Sequence, residues 1–156
     1  MLPKTLLYRV LVIISALTLF CMTASGQQMS FSSLTTADGL SHITVNDIYI
    51  DEYGMVWIAT EDGLNRYNGY SIDTFYSERN NSSSLPNSRV RRITGDGKGH
   101  IWLLCQQSVV ELDLYSMKFK TLLSSGAVND IFYHKENDCL YAGINRKVRS
   151  WDPVSR

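Results

Sequence analysis

The chain has 156 residues, of which 15 are basic and 15 acidic, so its formal net charge is zero. Its length is that of a single domain. The charge balance argues against a nucleic acid partner, because proteins that bind phosphate backbones present a basic surface.

Residues 1–26 have the three parts of a secretory signal peptide. Lys4 and Arg9 precede an apolar stretch over 10–22, and the small residues that follow it predict cleavage after Gly26. The apolar stretch is shorter than the roughly 20 residues that a membrane-spanning helix needs, so an uncleaved anchor is the less favoured alternative. The sequence therefore predicts a cleavable signal-peptide helix and export to the periplasm.

After this signal, one segment recurs along the chain. Residues 45–58 return 45 positions later as 90–103, and a weaker third copy occupies 128–143. A period near 40 residues built from short β-like runs indicates a propeller or solenoid. The structural positions that recur are Val45, Val90 and Val128; Ile48, Ile93 and Ile131; Gly54 and Gly99; and Trp57, Trp102 and Tyr141.

The first copy is predicted to form four short strands joined by tight turns. An alternating run over 45–50 is followed by a nearly continuous apolar run over 56–60, which suits a strand buried on both faces. Asp62-Gly63 and Asn68-Gly69 are strong hairpin signals. The strands predicted on this basis are 45–50, 56–60, 64–67 and 70–76.

The second and third copies repeat this plan. Their predicted strands are 90–94, 101–105, 109–113, 119–123, 128–133, 140–143 and 148–151. We therefore predict an all-β chain: an incomplete β-propeller of about two and a half to three four-stranded antiparallel blades. The predicted segments are a signal peptide (1–26), an N-terminal strand and lead-in (27–44), blade 1 (45–85), blade 2 (86–125) and a partial, truncated blade 3 (126–156).

The recurring aromatic residues have two interpretations. Trp57, Trp102 and Tyr141 lie inside the apolar second strand of each copy, which favours packing between neighbouring blades. The alternative is an aromatic platform for a sugar ring. Asp47 and Asp130 also recur, and hydrogen bonding in turns or between blades is favoured over catalysis for them.

The cysteines and the local basic clusters indicate no cofactor or metal. Cys105 and Cys139 do not repeat as a pair, so two buried free thiols are favoured over the disulfide that export would permit. A lipoprotein signal at Cys21 is disfavoured, because the residues before it are not small. The clusters Arg89/Arg91/Arg92 and Arg146/Lys147/Arg149 are expected to be solvated strand edges and loops.

Two patterns in the first copy carry a family resemblance. D-G-L-S-x-x-x-V-x-x-I spans 38–48, and G-x-x-W-I-x-T-x-x-G-L-x-x-Y spans 54–67. Together, after a signal peptide, they resemble the two-component regulator propeller repeats. The resemblance is strong in the first copy, good in the second and partial in the third, and it covers about residues 31–152.

The resemblance implies the N-terminal periplasmic sensor region of a Bacteroides-type hybrid two-component histidine kinase. Full members of that family are anchored in the inner membrane and continue into kinase and receiver parts, often followed by a DNA-binding domain. Their ligands are mostly glycan fragments, and ligand binding controls the phosphorelay and transcription. No kinase, receiver or DNA-binding motif occurs in this sequence.

The leading functional hypothesis is an exported, non-catalytic, ligand-sensing propeller segment. Its expected partners are an oligosaccharide in the full-length receptor and the remaining blades or another propeller chain, with membrane contact only through the signal or a downstream part. One alternative is a polysaccharide lyase or glycosidase, for which Asp47, Asp51, Glu61 and Asp62 are available. Another is a structural or protein-interaction module. The sequence identifies no catalytic, cofactor, metal or ligand-binding residue.

Overall fold

The fold is described by a computed structural model of the chain. The chain divides into two units, and the second, which begins at Leu34, contains the eleven strands of the described residues. In the first unit, the described residues 5, 8, 9 and 12–14 are helical. Among the described residues, no helix is long and apolar enough to cross a membrane. The cleavage site after Gly26 lies outside them. The structure describes residues 3, 5, 8, 9, 12–14, 32–124 and 127–152.

The strands form three successive antiparallel sheets, which we call blades 1, 2 and 3, and within each sheet neighbouring strands are consecutive in the chain. Blade 1 contains β1 (Val45–Ile50), β2 (Val56–Thr60), β3 (Gly63–Tyr67) and β4 (Ile72–Phe75). Blade 2 contains β5 (Val90–Gly95), β6 (His100–Cys105), β7 (Ser108–Asp113) and β8 (Lys118–Leu123). Blade 3 contains β9 (Val128–His134), β10 (Cys139–Ile144) and β11 (Lys147–Trp151). The predicted all-β, incomplete propeller is confirmed.

The described part of the lead-in to blade 1 is not a strand. An N-terminal strand is predicted within 27–44; residues 32–44 contain a 3-10 helix at Thr36–Asp38 and no strand, and residues 27–31 lie outside the described residues. The Asp38 carboxylate accepts a hydrogen bond from the Thr35 backbone at 2.8 Å, and the Thr35 hydroxyl accepts one from Ala37. These local bonds compete with strand pairing, because they satisfy backbone donors within one turn.

The β3–β4 turn is longer than predicted for a similar reason. The side-chain oxygen of Asn68 accepts hydrogen bonds from the backbone N–H groups of Tyr70 and Ser71, both at 2.9 Å. This turn keeps Tyr70 out of the ladder, so β4 begins at Ile72 instead of residue 70.

The core consists of two layers, one on each side of blade 2. Along β6, alternate side chains point to opposite layers, as expected of a strand buried on both faces. The layer between blades 1 and 2 contains Trp57, Ala59, Leu64, Leu85, Val90, Ile93, Ile101, Leu103, Cys105, Val110, Leu112 and Phe119. The layer between blades 2 and 3 contains Trp102, Leu104, Val109, Val128, Ile131, Tyr133, Leu140, Ala142 and Ile144.

One close approach between blades requires a glycine. Tyr49 of β1 packs against Gly95 at the end of β5, where an added Cβ atom would lie 2.5 Å from the Tyr49 hydroxyl oxygen. Burial at this contact raises the pKa of Tyr49, and nearby carboxylates add to the effect. The seam between blades 1 and 2 is therefore tight along the first strand of each blade.

Candidate functional site

The candidate site is built on an irregularity that all three blades share. In β1, Asn46 is an extra residue between Val45 and Asp47, which pair with consecutive residues of β2. Arg91 in β5 and Asn129 in β9 are the corresponding extra residues. Such a β-bulge changes the direction in which a side chain points. The second residue of each first strand is thereby directed differently from its neighbours.

These bulge residues reach from one blade to the next. The Asn46 side-chain amide donates a hydrogen bond to the Val90 carbonyl oxygen at 2.8 Å. The Arg91 guanidinium donates long hydrogen bonds, of 3.4 Å each, to the carbonyl oxygens of Val128 and Asn129. The first strands of the three blades therefore start close together at one end of the molecule.

The residues that follow the bulges also bridge the blades. An Asp47 carboxylate oxygen accepts a hydrogen bond from the Ile93 backbone N–H at 2.9 Å. Arg92 occupies the same position in blade 2, and its Nε donates to the Asp130 carboxylate at 3.2 Å. Asp47 and Asp130 thus serve as inter-blade hydrogen-bond partners.

Two adjoining polar pockets lie at this end, and we call them together the inner groove. The first, of about 220 Å³, is lined by Asn46, Glu61, Arg89, Arg91, Arg92 and Asn129. The second, of about 240 Å³, is lined by Arg89, Arg91, Gln106, Gln107, Ala127, Val128 and Asn129. The cluster Arg89/Arg91/Arg92, predicted to lie at solvated edges and loops, lines these pockets: Arg89 and Arg91 line both, and Arg92 lines the first.

The charges of the inner groove are partly neutralised by the protein itself. Arg89 forms a salt bridge with Glu61 at 2.8 Å, and Arg92 pairs with Asp130. In the part of the chain that the structure describes, Arg91 has no carboxylate partner. The groove therefore offers guanidinium and amide groups that can donate hydrogen bonds, together with side-chain amide oxygens that can accept them. Such a surface suits a polar ligand rich in hydroxyl groups.

Comparison with known proteins identifies the repeat. Residues 39–62, which contain β1 and β2, match the family model described as Two component regulator propeller. This stretch is therefore similar to a two-component regulator propeller repeat. The chain is also 34% identical over 64 residues to Histidine kinase P4 from Formosa agariphila, a match that covers 41% of this chain and 5% of that protein.

A solved structure extends the likeness to the whole propeller segment. The extracellular domain of the hybrid two component system BT3049 from B. thetaiotaomicron has a TM-score of 0.70 and 24% sequence identity to this chain. The match covers 80% of this chain and 19% of that structure. At this identity the likeness establishes the fold. The coverages of 19% and 5% also mean that this chain spans only a small part of the proteins that it matches.

The aromatic residues that recur in the three copies lie mainly in the core. Trp57 and Trp102 are each 1% exposed, and Tyr141 is half-buried. Trp57 packs against Phe75 with ring centroids 5.9 Å apart, and Trp102 stacks on Tyr133 at 5.1 Å. The two tryptophans cannot serve as sugar platforms in this structure, because their faces are covered by neighbouring strands.

A buried aspartate after the first strand, Asp51, was considered from the sequence only as an acid for the enzyme alternative. Asp51 accepts hydrogen bonds from the Tyr53 and Met55 backbones, both at 2.9 Å, and from the Trp57 indole at 2.8 Å. Asp96 has the same role in blade 2, where it binds two backbone N–H groups and the His100 ring. The recurrence of Asp at a spacing of 45 residues was the signal that could have identified this cap.

The other repeated positions are two turn glycines and the Val and Ile of the first strands, whose burial differs between the blades. Gly54 and Gly99 follow the caps with φ values of 78° and 103°, which favour glycine. The repeated Val and Ile of blades 2 and 3 are buried, whereas those of blade 1 are exposed. The repeated positions of the first strands are Val45, Val90, Val128, Ile48, Ile93 and Ile131.

The carboxylates considered for an enzyme have structural contacts or stand in solvent. Asp47 and Asp51 are held by backbone N–H groups, Glu61 is paired with Arg89, and Asp62 is exposed. Asp51 lies at the opposite end of β1 from the groove. Within the described residues, no cluster of His, Cys, Asp and Glu could hold a metal ion.

The two cysteines of blades 2 and 3 are free thiols. Cys105 is buried, and burial raises the pKa of its thiol to about 12. Cys139 was expected to be buried as well, but it is half-buried. Its position at the start of β10, in the outermost blade of the described chain, leaves it partly uncovered.

A further pocket, of about 290 Å³, lies at the other end of the seam between blades 1 and 2. Arg66 lies over the Trp57 ring at 5.9 Å and pairs with Asp73 at 2.7 Å. The indole N–H of Trp57 is bound to Asp51. These polar groups are partnered within blade 1, so the pocket is a less suitable ligand site than the inner groove.

Proposed function

We propose that this chain is a segment of the exported, ligand-sensing propeller of a two-component receptor. The observation that carries the proposal is the regulator propeller repeat at 39–62, set within a fold like that of an extracellular receptor domain. The relative named Histidine kinase P4 supports a link to phosphorelay signalling. The signal-like sequence over 1–26 supports export to the periplasm.

We further propose that the inner groove binds an oligosaccharide and that the segment itself is not catalytic. Binding sites in propellers are supported by a rigid frame of strands, with loops and strand ends presenting variable side chains. The groove provides three arginines and several amides at such strand ends. Binding would be transmitted by a difference in ligand affinity between two receptor arrangements.

Calorimetric titration of the purified chain with neutral and acidic oligosaccharides tests the ligand proposal. We expect Arg91→Ala to weaken binding about tenfold or more, because a hydrogen bond to a charged group contributes roughly 1.5–3 kcal/mol. Arg149→Ala is the matched control, since Arg149 is exposed on β11 and does not line the groove. A panel without any binder, or equal effects of the two variants, would contradict the groove assignment.

Export is tested separately by fusing residues 1–40 to a reporter enzyme that is active only outside the cytoplasm. We expect reporter activity and a mature N-terminus at Gln27. An arginine introduced into the apolar stretch 10–22 should abolish the activity, because a charge opposes membrane insertion of the signal. Activity that survives this change would argue against the signal.

A further inference from the structure

The edge of blade 1 leaves two apolar residues exposed whose equivalents in blades 2 and 3 are buried. Val45 and Ile48 are 42% and 59% exposed, whereas their equivalents in blade 2, Val90 and Ile93, are 0% and 8% exposed. Blade 1 covers the latter pair, and blade 2 covers the equivalent residues of blade 3. The same residue types that form the core elsewhere are therefore uncovered on blade 1, on the side where the repeat would place a preceding blade.

The two seams that the structure contains indicate what fits this edge. In both, the bulge residue of one blade donates a hydrogen bond to the carbonyl of the first residue in the next blade: Asn46 to Val90, and Arg91 to Val128. In both, the valine and isoleucine of the later blade are buried by the earlier one. The uncovered edge of blade 1 continues this series, so its matching surface is another blade of the same repeat.

The third residue of the first strand distinguishes two kinds of seam. In the seam from blade 1 to blade 2, Asp47 accepts a hydrogen bond from the Ile93 backbone N–H. In the seam from blade 2 to blade 3, Arg92 donates to Asp130 Oδ1, and the same oxygen accepts the Ile131 backbone N–H at 3.0 Å. In the first kind of seam, an aspartate of the earlier blade accepts a backbone N–H of the later blade. In the second kind, an arginine of the earlier blade pairs with a carboxylate of the later blade.

The blade 1 edge matches the second kind of seam. Asp47 Oδ1 accepts the Ile48 backbone N–H at 3.0 Å, as Asp130 Oδ1 does with Ile131. An incoming aspartate would find this N–H already occupied and would face a like charge. An incoming guanidinium would find an acceptor that is already fixed in place.

We propose that the open edge of blade 1 binds a further blade of the same repeat whose first strand carries arginine at its third position, paired with Asp47. This inference goes beyond the proposed function and does not depend on any ligand. It also predicts that a second wild-type copy is a poor partner for this edge. Blade 3 of such a copy would present Asp130 to Asp47, and two carboxylates would meet.

Charge reversal converts this rule into an experiment with the whole chain. Asp130→Arg gives blade 3 the third residue of blade 2, so it should dock on Asp47 of a second copy. Asp47→Arg makes blade 1 resemble blade 2, so it should accept Asp130 of a second copy. We expect each single variant to self-associate about tenfold or more tightly than wild type, whereas the double variant should not. Sedimentation velocity over a concentration series measures the association.

The controls separate this rule from nonspecific contact between apolar edges. Asp130→Gln removes the same carboxylate without adding a cation, so it should relieve the repulsion but associate less tightly than Asp130→Arg. In the Asp130→Arg background, Asp47→Asn should reverse the association, since asparagine still accepts a hydrogen bond from Ile93 but carries no charge. Each single variant also places an arginine beside Arg92 within its own chain, because Asp130 pairs with Arg92 and Asp47 accepts the adjoining Ile93 N–H. Circular dichroism and urea denaturation therefore first show that each variant is folded, and the loss of one leaves the other. Equal association of all the variants, or association of the double variant, would overturn the proposal.

Discussion

The first strands of blades 1 and 2 have the same pattern but different surroundings. Both begin with Val, continue through a bulge, and place Ile at the fourth position. In β5 the valine and isoleucine lie in the core between blades, whereas in β1 they are exposed. The comparison shows that a repeat unit specifies its own four strands but not the burial of its faces, which depends on the neighbouring unit.

The largest expected contrast concerns cysteine reactivity in an enclosed and an open blade. Cys105 is buried in blade 2, and burial raises the pKa of its thiol from 9.0 to about 12. The higher pKa lowers the fraction of reactive thiolate, and burial also keeps the reagent away from the sulfur. At about pH 8 we expect iodoacetamide to modify Cys139 and to spare Cys105 until the chain is unfolded. Peptide mass spectrometry measures both sites.

The same pKa shift predicts a pH dependence of stability. A thiol whose pKa is raised on folding releases its proton more readily in the unfolded chain, so the free energy of unfolding should fall as pH rises from 9.0 towards 12. Cys105→Ser gives the comparison, because it removes this titration. In the iodoacetamide experiment, modification of Cys105 in the folded chain as fast as in the unfolded chain would show that blade 2 is not enclosed.

Matched truncations test the comparison of the first strands directly. Ile93→Ala should lower the free energy of unfolding by about 2–5 kcal/mol, because it leaves a cavity between blades. Ile48→Ala, at the equivalent exposed position, should change it by no more than about 0.5 kcal/mol. Urea denaturation of the whole chain measures both. Equal effects would mean that blade 1 is covered in solution, as by association with another copy.

The carboxylate caps should behave alike in the two blades, because each lies inside its own unit. Asp51→Ala removes the acceptor for two backbone N–H groups and for the Trp57 indole, so we expect a loss of about 1–3 kcal/mol. Asp96→Ala should give a loss of similar size. Asp51→Asn retains one acceptor oxygen and should have a smaller effect. A cap effect confined to one blade would show that neighbours matter here as well.

The smallest expected effect concerns the ion pair in the second seam. Arg92 and Asp130 are both more than half exposed, with side-chain exposures of 51% and 61%. A double-mutant cycle with Arg92→Gln and Asp130→Asn should give a coupling of about 0.2–1 kcal/mol that decreases with added salt. A larger, salt-independent coupling would indicate that this seam is more enclosed than the exposures suggest.

The strands could be predicted from the sequence because each depends on local pattern. The runs over 45–50 and 56–60 coincide with β1 and β2, and turn signals such as Asp62-Gly63 place the hairpins. The apolar pattern misses two features in which side chains bind the backbone. Hydrogen bonds of Thr35 and Asp38 stabilise a 3-10 helix in the lead-in, and a hydrogen bond of Asn68 extends the β3–β4 turn. These hydrogen bonds leave the apolar pattern that predicts a strand unchanged.

The inner groove could not be predicted from the sequence, because it is assembled from separate blades. Arg91 and Asn129 are 38 positions apart, and their proximity depends on bulges that have no simple residue signature. Gln106 and Gln107, in a hairpin of blade 2, complete the second pocket. Only the stacking of the blades brings these polar residues to one end of the molecule.

The absence of a carboxylate at position 92 has a consequence for the order in which the chain folds. Blades 1 and 3 bind the fourth N–H of their first strands with their own aspartates, but in blade 2 the N–H of Ile93 is bound by Asp47 of the blade before it. Blade 2 therefore completes its first strand only against a formed blade 1. Ribosomes release blade 1 before blade 2, so synthesis supplies Asp47 before the strand whose N–H it binds.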